Sequence, residues 1–257
     1  MAAPMRASGR TAKSSARASR AMPTAWSMRA RSAMPCITAA AGWRRRTAMS
    51  TRATGSTASR RALARVIYAD GAVYEGELAG DRREGTGTLT LADGTVYEGV
   101  WVDGQIQGEG QLSQASGDVY EGDLVEGRRE GQGTITYANG DVYRGGFLND
   151  RRHGQGTFTG ADGYTYVGQW SEGRIEGEGR VSYPDGSIYE GLFLADQADT
   201  RCADQVADLG AGAPHCGTGK ITYSDGATYE GQWVAGVIEG TGTAVYANGL
   251  IYEGESA

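Results

Sequence analysis

Residues 229–249 read YEGQWVAGVIEGTGTAVYANG, and this phrase returns along the chain with small changes. The tyrosine that opens it recurs every 23 residues from Tyr74 to Tyr189. The next tyrosine of the series, Tyr229, follows 40 residues later, which exceeds the period by 40 − 23 = 17. The chain is therefore a tandem array of short repeats, with a 17-residue insertion within about residues 197–214.

Within each unit the residue pattern has a period of two. Tyr74, Gly76 and Leu78 fall on one face of an extended strand, and Glu75 and Glu77 fall on the other. A short turn and a second alternating segment follow before the next tyrosine. Each unit therefore predicts a β-hairpin.

The turn residues favour this interpretation, because Asp103-Gly104, Asn149-Asp150 and Glu172-Gly173 tolerate positive φ. Hairpins joined by such short turns predict one antiparallel meander. About seven hairpins at ~4.8 Å per strand give a sheet roughly 65 Å long. The predicted fold is all-β, an elongated single-layer antiparallel sheet of tandem 23-residue hairpins.

The many glycines have a structural explanation in such a sheet. A residue without a Cβ lets an aromatic ring lie flat on the backbone. We expect Gly76, Gly85 and Gly87 to be seats for Tyr74, Leu78 and their neighbours in adjoining hairpins. The Gly-x-Gly motif is not a phosphate loop, because no helix follows it to offer a positive dipole.

The units resemble MORN (membrane occupation and recognition nexus) repeats, whose pattern YEGxWxxGxxxGxGxxxxxxG is nearly intact at residues 229–249. The resemblance extends over about residues 66–257. It implies an elongated sheet of hairpins that serves scaffolding, dimerisation, and protein or lipid binding. It implies no catalysis by the repeats, and they leave no room for a catalytic domain.

Charge divides the chain into two parts. Residues 1–65 contain 14 basic and no acidic side chains, so residues 66–257 contain 25 − 14 = 11 basic and all 31 acidic ones. This composition predicts a basic, low-complexity N-terminal segment attached to an acidic repeat array. The segment is free of acid like an organellar transit peptide but forms no clear amphipathic helix, and no apolar run is long enough for a membrane span. The compartment stays open, soluble or membrane-peripheral.

The N-terminal segment keeps the 23-residue period although its residues differ. MRA occurs at 5–7 and 28–30 and TRA at 51–53, and alanine occupies the slots of the Gly-x-Gly glycines. Read one base out of frame, AMPTAWSMRA at 21–30 can spell Tyr-Ala-Asp-Gly-Leu-Val-Tyr-Glu-Gly. We hypothesise that residues 1 to about 65 are repeat-coding DNA translated in the wrong frame. Such a segment should be disordered or poorly packed, because the shift scrambles the alternating pattern.

Few residues could support chemistry, and the sequence predicts no enzyme and no cofactor. His153 is expected at a solvated hairpin tip. Cys202, His215 and Cys216 lie in or beside the insertion and form an incomplete zinc set. Free thiols and a Cys202–Cys216 disulfide both remain open, the latter in an oxidising compartment.

One face of the predicted sheet carries aromatic rings. A single-layer sheet cannot cover this face with a second layer, so the rings form a thin core, a protein-binding groove, or both. We favour a partner-binding or dimerising surface with aromatic anchors. The residues are Tyr97, Trp101, Tyr120, Phe147, Tyr166, Trp170, Tyr189, Phe193, Tyr229 and Trp233.

Two columns of charge also run along the sheet. The glutamates that follow the repeat tyrosines are too far apart to act as a catalytic acid–base pair, and we expect them to form a solvated face. Arginines at the hairpin tips form an edge where an anionic lipid headgroup could dock. They are Arg82, Arg83, Arg128, Arg129, Arg151, Arg152 and Arg174. Each is worth ~1 kcal/mol near an anionic membrane, but the acidic body opposes approach.

Two functions follow from these patterns. The first is a non-enzymatic scaffold that binds protein partners, or itself, through the ring face and the open sheet ends. The alternative is a peripheral membrane adaptor that contacts anionic lipid, such as phosphoinositide, through the arginine edge. Nucleic-acid binding by the basic segment is the weakest of the hypotheses.

Overall fold

The computed structural model describes residues 61–256, which form one antiparallel sheet of 17 strands. The predictions for residues 1–60, including the frame-shift hypothesis, fall outside these described residues. The strands are β1 (Arg61–Ile67), β2 (Val73–Ala79), β3 (Arg82–Thr90), β4 (Val96–Val102), β5 (Gln105–Ser113), β6 (Val119–Val125), β7 (Arg128–Thr136), β8 (Val142–Leu148), β9 (Arg151–Thr159), β10 (Thr165–Ser171), β11 (Arg174–Ser182), β12 (Ile188–Leu194), β13 (Gln197–Ala198), β14 (Gly219–Thr222), β15 (Thr228–Val234), β16 (Val237–Val245) and β17 (Ile251–Ser256). The insertion holds a helix, α1 (Ala203–Leu209), and a 3₁₀ turn (Gly210–Gly212).

The strands pair in chain order, each antiparallel to the next. Strand β12 pairs with both β13 and β14, and β15, β16 and β17 continue the meander. Loops such as residues 91–95 connect one hairpin to the next. The predicted all-β meander of tandem hairpins is confirmed.

Two-residue turns close the hairpins, all at the same ends of the strands. Asp103 and Gly104 have φ of 51° and 87°, and Glu172 and Gly173 have φ of 51° and 88°. Two consecutive residues with positive φ form a type I′ turn, whose twist matches that of the flanking strands. The turns predicted from the sequence are therefore correct.

The repeat array begins earlier than the sequence analysis placed it. Residues 61–65, assigned there to the N-terminal segment, form most of β1. Ala64 pairs with Gly76 and Val66 with Tyr74, so the inward residues of β1 meet the ring face of β2. The small and aliphatic side chains suffice for this alternation, and β1 places residues 61–65 in the array.

The insertion interrupts the second strand of the sixth hairpin. Ala198 pairs with Phe193 and Lys220 with Glu190, so Ala198 and Lys220 are 220 − 198 = 22 positions apart. The equivalent residues of the fourth hairpin, Arg152 and Thr157, are 157 − 152 = 5 positions apart. The difference of 17 locates the insertion between Ala198 and Lys220, where the other hairpins have a β-bulge.

Candidate functional site

Most repeat tyrosines fold back over their own hairpins. The hydroxyl of Tyr143 donates a hydrogen bond of 2.9 Å to the carbonyl oxygen of Gly146. The ring lies against Gly145 and Gly156, which pair across the hairpin, and a Cβ on Gly156 would be 2.5 Å from ring atom Cε2. Equivalent hydroxyl-to-carbonyl bonds are made by Tyr74, Tyr120, Tyr166, Tyr189 and Tyr229. The glycine pair is therefore a ring seat.

Gly76 and Gly87 fit this role, since a Cβ on either would come closer than 3.0 Å to the Tyr74 hydroxyl. Gly85 does not, and the seat predicted for it is wrong. Its φ is +69°, and a Cβ there would have its nearest contacts with the flexible carboxylate of Glu77. Gly85 lies in the bulge where the register of the hairpin shifts, so its conformation explains the glycine.

The rings pack edge to face from hairpin to hairpin. Tyr143 lies 5.2 Å from Phe147 of its own hairpin and 5.1 Å from Trp170 of the next, between ring centroids. The same alternation joins nine rings in the order Tyr120, Phe147, Tyr143, Trp170, Tyr166, Phe193, Tyr189, Trp233 and Tyr229. Such contacts add to the stabilisation from apolar burial.

All ten residues predicted to bind partners belong to this packed layer. Each has 5% or less of its surface exposed. They are Tyr97, Trp101, Tyr120, Phe147, Tyr166, Trp170, Tyr189, Phe193, Tyr229 and Trp233. The sheet thus builds its core on one face, and the docking role predicted for these rings would require this face to open.

Three arginines of the predicted lipid edge help to cover the rings. The guanidinium of Arg83 lies 4.4 Å from the Trp101 ring centroid, and that of Arg152 lies 4.1 Å from Trp170. Arg129 lies over Phe147 in the same way. Arg152 is only 7% exposed, and burial lowers its pKa, although an arginine still stays charged at neutral pH.

These three guanidinium groups also hold the turn of the following hairpin. Each donates through Nη2 to a turn carbonyl, at 2.6 Å to Gly104, 2.7 Å to Asp150 and 2.7 Å to Gly173. In other hairpins isoleucine occupies the same position, as Ile106 and Ile175. Arg152 is therefore buried over the rings and Arg83 and Arg129 are half-buried there, whereas the sequence analysis placed all three at an exposed edge.

The remaining edge arginines are exposed on the opposite face. Arg82 pairs with Asp103 at 2.6 Å, Arg128 with Glu126 at 3.5 Å, and Arg151 with Glu172. Arg174 is exposed at the start of β11. The predicted edge thus keeps four accessible guanidinium groups, three of them beside carboxylates.

The neck of the insertion is tied to the last hairpin. Cys202 and Cys216 form a disulfide, and Arg201 and His215 form an isolated β-bridge beside it. The fully buried Thr200 hydroxyl lies 2.6 Å from His215 Nδ1, and the backbone N–H of Trp233 donates to Thr200 Oγ1 at 3.0 Å. The structure therefore selects the disulfide among the alternatives for these cysteines.

Asp199, also in the neck, was not singled out from the sequence. Its carboxylate accepts hydrogen bonds from the side chain of Arg201, the shortest at 2.6 Å, and from its backbone N–H at 3.1 Å. The backbone N–H of Ala235 donates to the same carboxylate at 3.1 Å. Burial raises the pKa of Asp199, but these hydrogen bonds outweigh it and lower the pKa overall. The hydrogen bond from Ala235 therefore joins the neck to the turn between β15 and β16.

Neither a metal-binding cluster nor a membrane-spanning helix is found within residues 61–256. Within residues 61–256 no group of three or more His, Cys, Asp or Glu side chains could hold a metal ion. In the same part of the chain no helix combines the length and the apolar character that crossing a membrane requires.

Comparison with known proteins identifies the repeats. The MORN repeat family matches residues 74–96, 97–119, 120–142, 143–163, 166–188 and 229–251, which together exceed half of the chain. The chain belongs to the MORN repeat family, a family of non-enzymatic repeats. The repeat that contains the insertion is outside the matched segments.

Other comparisons give weaker likenesses. The search of curated proteins finds no match. Similar solved structures include the SAS-4 (dCPAP) TCP domain in complex with a proline-rich motif of Ana2 (dSTIL) of Drosophila melanogaster, with 15% identity, 84% of this chain and 97% of that chain covered, and a TM-score of 0.39. The wild-type TCP10 domain of Danio rerio CPAP has 13% identity, coverages of 80% and 89%, and a TM-score of 0.40. Likeness at this level carries no weight for function.

Proposed function

We propose that this chain is a MORN-repeat scaffold that associates with a second copy of itself through the open edge of β17. The supporting observation is an incomplete ring seat at this strand. Tyr252 donates to the carbonyl of Glu255 at 3.3 Å, and a Cβ on Gly254 would lie 2.6 Å from the tyrosine hydroxyl. The ring is nevertheless 48% exposed, whereas Tyr143 is fully buried.

The difference between the two tyrosines is the second glycine of the seat. Tyr143 lies over the cross-strand pair of Gly145 and Gly156, but within residues 61–256 Gly254 is paired only with Gly242 of the preceding hairpin. A strand added to the open edge would have to present a glycine opposite Gly254. Edge strands with free N–H and C=O groups are templates for such addition.

A second copy of β17 meets this requirement. Two antiparallel copies with Gly254 opposite the same glycine would recreate the glycine pair and cover both Tyr252 rings. Leu250 and Ile251, both exposed, would add apolar surface to the contact. The arrangement has two-fold symmetry, which is the commonest symmetry of homodimers.

Sedimentation velocity over a range of concentrations tests this proposal. The wild-type chain should show a concentration-dependent dimer that Ile251→Lys removes. Val125→Lys makes the same change at an exposed valine far from β17 and should leave the dimer intact. A monomer at all concentrations, or equal effects of both variants, would refute self-association through β17.

Lipid binding is the alternative outcome. Flotation of the same protein with vesicles containing anionic lipid and phosphoinositide should show no recruitment above that to neutral vesicles. Recruitment that is lost in Arg128→Glu or Arg174→Glu, together with a monomeric wild type, would favour a peripheral membrane adaptor instead.

A further inference from the structure

The face of the sheet opposite the rings, here called the outer face, carries a row of residues with a regular charge pattern. The row consists of the residues that follow each repeat tyrosine and their cross-strand partners. Its cations lie beside glutamates, in the pairs Arg65–Glu75 at 2.7 Å, Arg180–Glu190 at 2.9 Å and Lys220–Glu230 at 3.9 Å. These cations are therefore neutralised by their neighbours.

Arg144 departs from this pattern. Its cross-strand partners are Thr134 and Thr157, and within residues 61–256 no carboxylate forms an ion pair with it. The next repeat departs too, because Val167 replaces glutamate and is 47% exposed. Two successive repeats thus exchange an acidic side chain for a cation and an apolar group.

The outward positions around Arg144 and Val167 hold few acids. Glu130 of the adjacent β7 accepts a hydrogen bond from the backbone N–H of Asn149, beside Leu148. The outward positions of β8, β9 and β10 hold no Asp or Glu, whereas those of β4, β5 and β6 hold Glu98, Glu109, Glu121 and Asp123. The middle of the outer face is therefore a neutral to basic window. It lies in an array whose residues 66–257 carry 11 basic and 31 acidic side chains.

The cation and an apolar side chain of the window lie on the same strand. Gly146 lies between Arg144 and Leu148 on β8, where it is buried and a Cβ would collide with the carbonyl oxygen of His153. Leu148 is 44% exposed. A cation and an exposed apolar side chain therefore lie four residues apart on one strand, with no side chain between them on this face.

We propose that this window on β8–β10 binds an extended acidic peptide segment of a protein partner. A carboxylate of the peptide pairs with Arg144, and an apolar side chain contacts Val167 or Leu148. Val167 lies two strand spacings from Arg144, ~10 Å, and Leu148 four residues along β8, ~13 Å. At ~3.3 Å per extended residue, the acidic and apolar residues of the peptide are three or four positions apart.

The rest of the outer face provides specificity by repulsion. An acidic segment that shifts along the sheet meets Glu121 and Asp123 on one side of the window, and Glu178 and Glu190 on the other. Like charges across an interface disfavour the wrong register more strongly than matched charges favour the right one. This surface is separate from the edge of β17.

Panning a displayed library of random decapeptides against the full chain tests the proposal. Enriched peptides should carry Asp or Glu three or four positions from an apolar residue. A synthetic copy of the most enriched peptide should bind Arg144→Glu at least tenfold more weakly than wild type. Arg174→Glu is the matched control, because it makes the same charge change outside the window, and Ile251→Lys should also leave binding unchanged.

Several results would overturn it. They are enrichment of basic peptides, no enrichment, equal loss of binding in Arg144→Glu and Arg174→Glu, or Arg144-dependent binding to anionic vesicles, which would assign the window to a membrane. Far-UV circular dichroism and unfolding midpoints of the variants that match wild type exclude misfolding as the cause. Val167→Glu offers an independent variant, with the same expected loss.

Discussion

The hydroxyl of Tyr143 donates to the carbonyl oxygen of Gly146, three residues further along the same strand, at 2.9 Å. This bond holds the ring down across the glycine pair of its hairpin and satisfies a polar group beneath a buried ring. Repetition of the contact gives a single layer of strands its core. The sheet therefore needs no second layer to bury its aromatic side chains.

Tyr143→Phe should reduce stability by about 1 kcal/mol, because the Gly146 carbonyl loses its donor while the ring remains. Tyr252→Phe is the matched control, because its ring is half exposed and water can replace the lost bond. Urea unfolding of both variants measures the difference. Equal changes in the two would mean that the hydroxyl bond contributes nothing specific to the buried seat.

Arg152→Ile should leave stability within about 1 kcal/mol of wild type, because isoleucine covers the rings at the same position in other hairpins. Arg152→Asp should cost about 3 kcal/mol, since it places an unpaired charge on buried rings. Arg151→Asp serves as the exposed control. If thermal unfolding shows that Arg152→Ile is as destabilised as Arg152→Asp, the charge of Arg152 is needed and coverage of the rings by an apolar side chain is not enough.

Reduction of the Cys202–Cys216 disulfide should lower stability by about 3 kcal/mol, as expected for a loop of this length. Because Thr200 and Trp233 join the neck to the last hairpin, amide hydrogen exchange there should rise on reduction. A Cys202→Ser/Cys216→Ser variant should match the reduced protein and not respond to dithiothreitol. Unchanged exchange at Trp233 would contradict this coupling.

Alkaline pH should unfold the array. Burial raises the pKa of Tyr74 and of Tyr143 to about 12, above the value of ~10 for an unfolded tyrosine. The stability that these groups contribute is thus complete below pH ~10 and is lost as the pH rises towards the folded pKa. Absorbance at 295 nm should show tyrosinate appearing together with unfolding. Phenol ionisation near pH 10 in a protein that stays folded would contradict burial of the rings.

Much of the fold is predictable from the sequence because the repeat presents the same local pattern many times. Alternation around Tyr74 identifies strands, and pairs such as Asp103-Gly104 identify turns, since both depend on local backbone preferences. The seat formed by Gly76 and Gly87 follows from the strand pairing. Gly85 was assigned wrongly because a bulge shifts the register by an amount that alternation does not reveal.

The candidate site was less predictable. Adjacent arginines such as Arg151 and Arg152 point to opposite faces, so one is exposed and the other buried, although their local sequence looks alike. One signal was available, because the column that contains Arg152 holds Ile106 and Ile175 in other repeats. The roles of Asp199 and Thr200 depend on contacts with β15 and its turn more than 30 residues away, which no local pattern encodes.

A double-mutant cycle between Tyr143 and Gly156 tests the ring seat most directly. A Cβ on Gly156 would have its nearest contacts with atoms of the Tyr143 ring, so Gly156→Ala should cost about 2 kcal/mol in the wild-type background. Tyr143→Leu removes those ring atoms, and in that background the same alanine should cost less than about 0.5 kcal/mol. Gly212→Ala, with no atom within 4 Å of the added Cβ, controls for the effect of glycine on the unfolded chain. A cost of Gly156→Ala that is the same with and without the ring would contradict the seat.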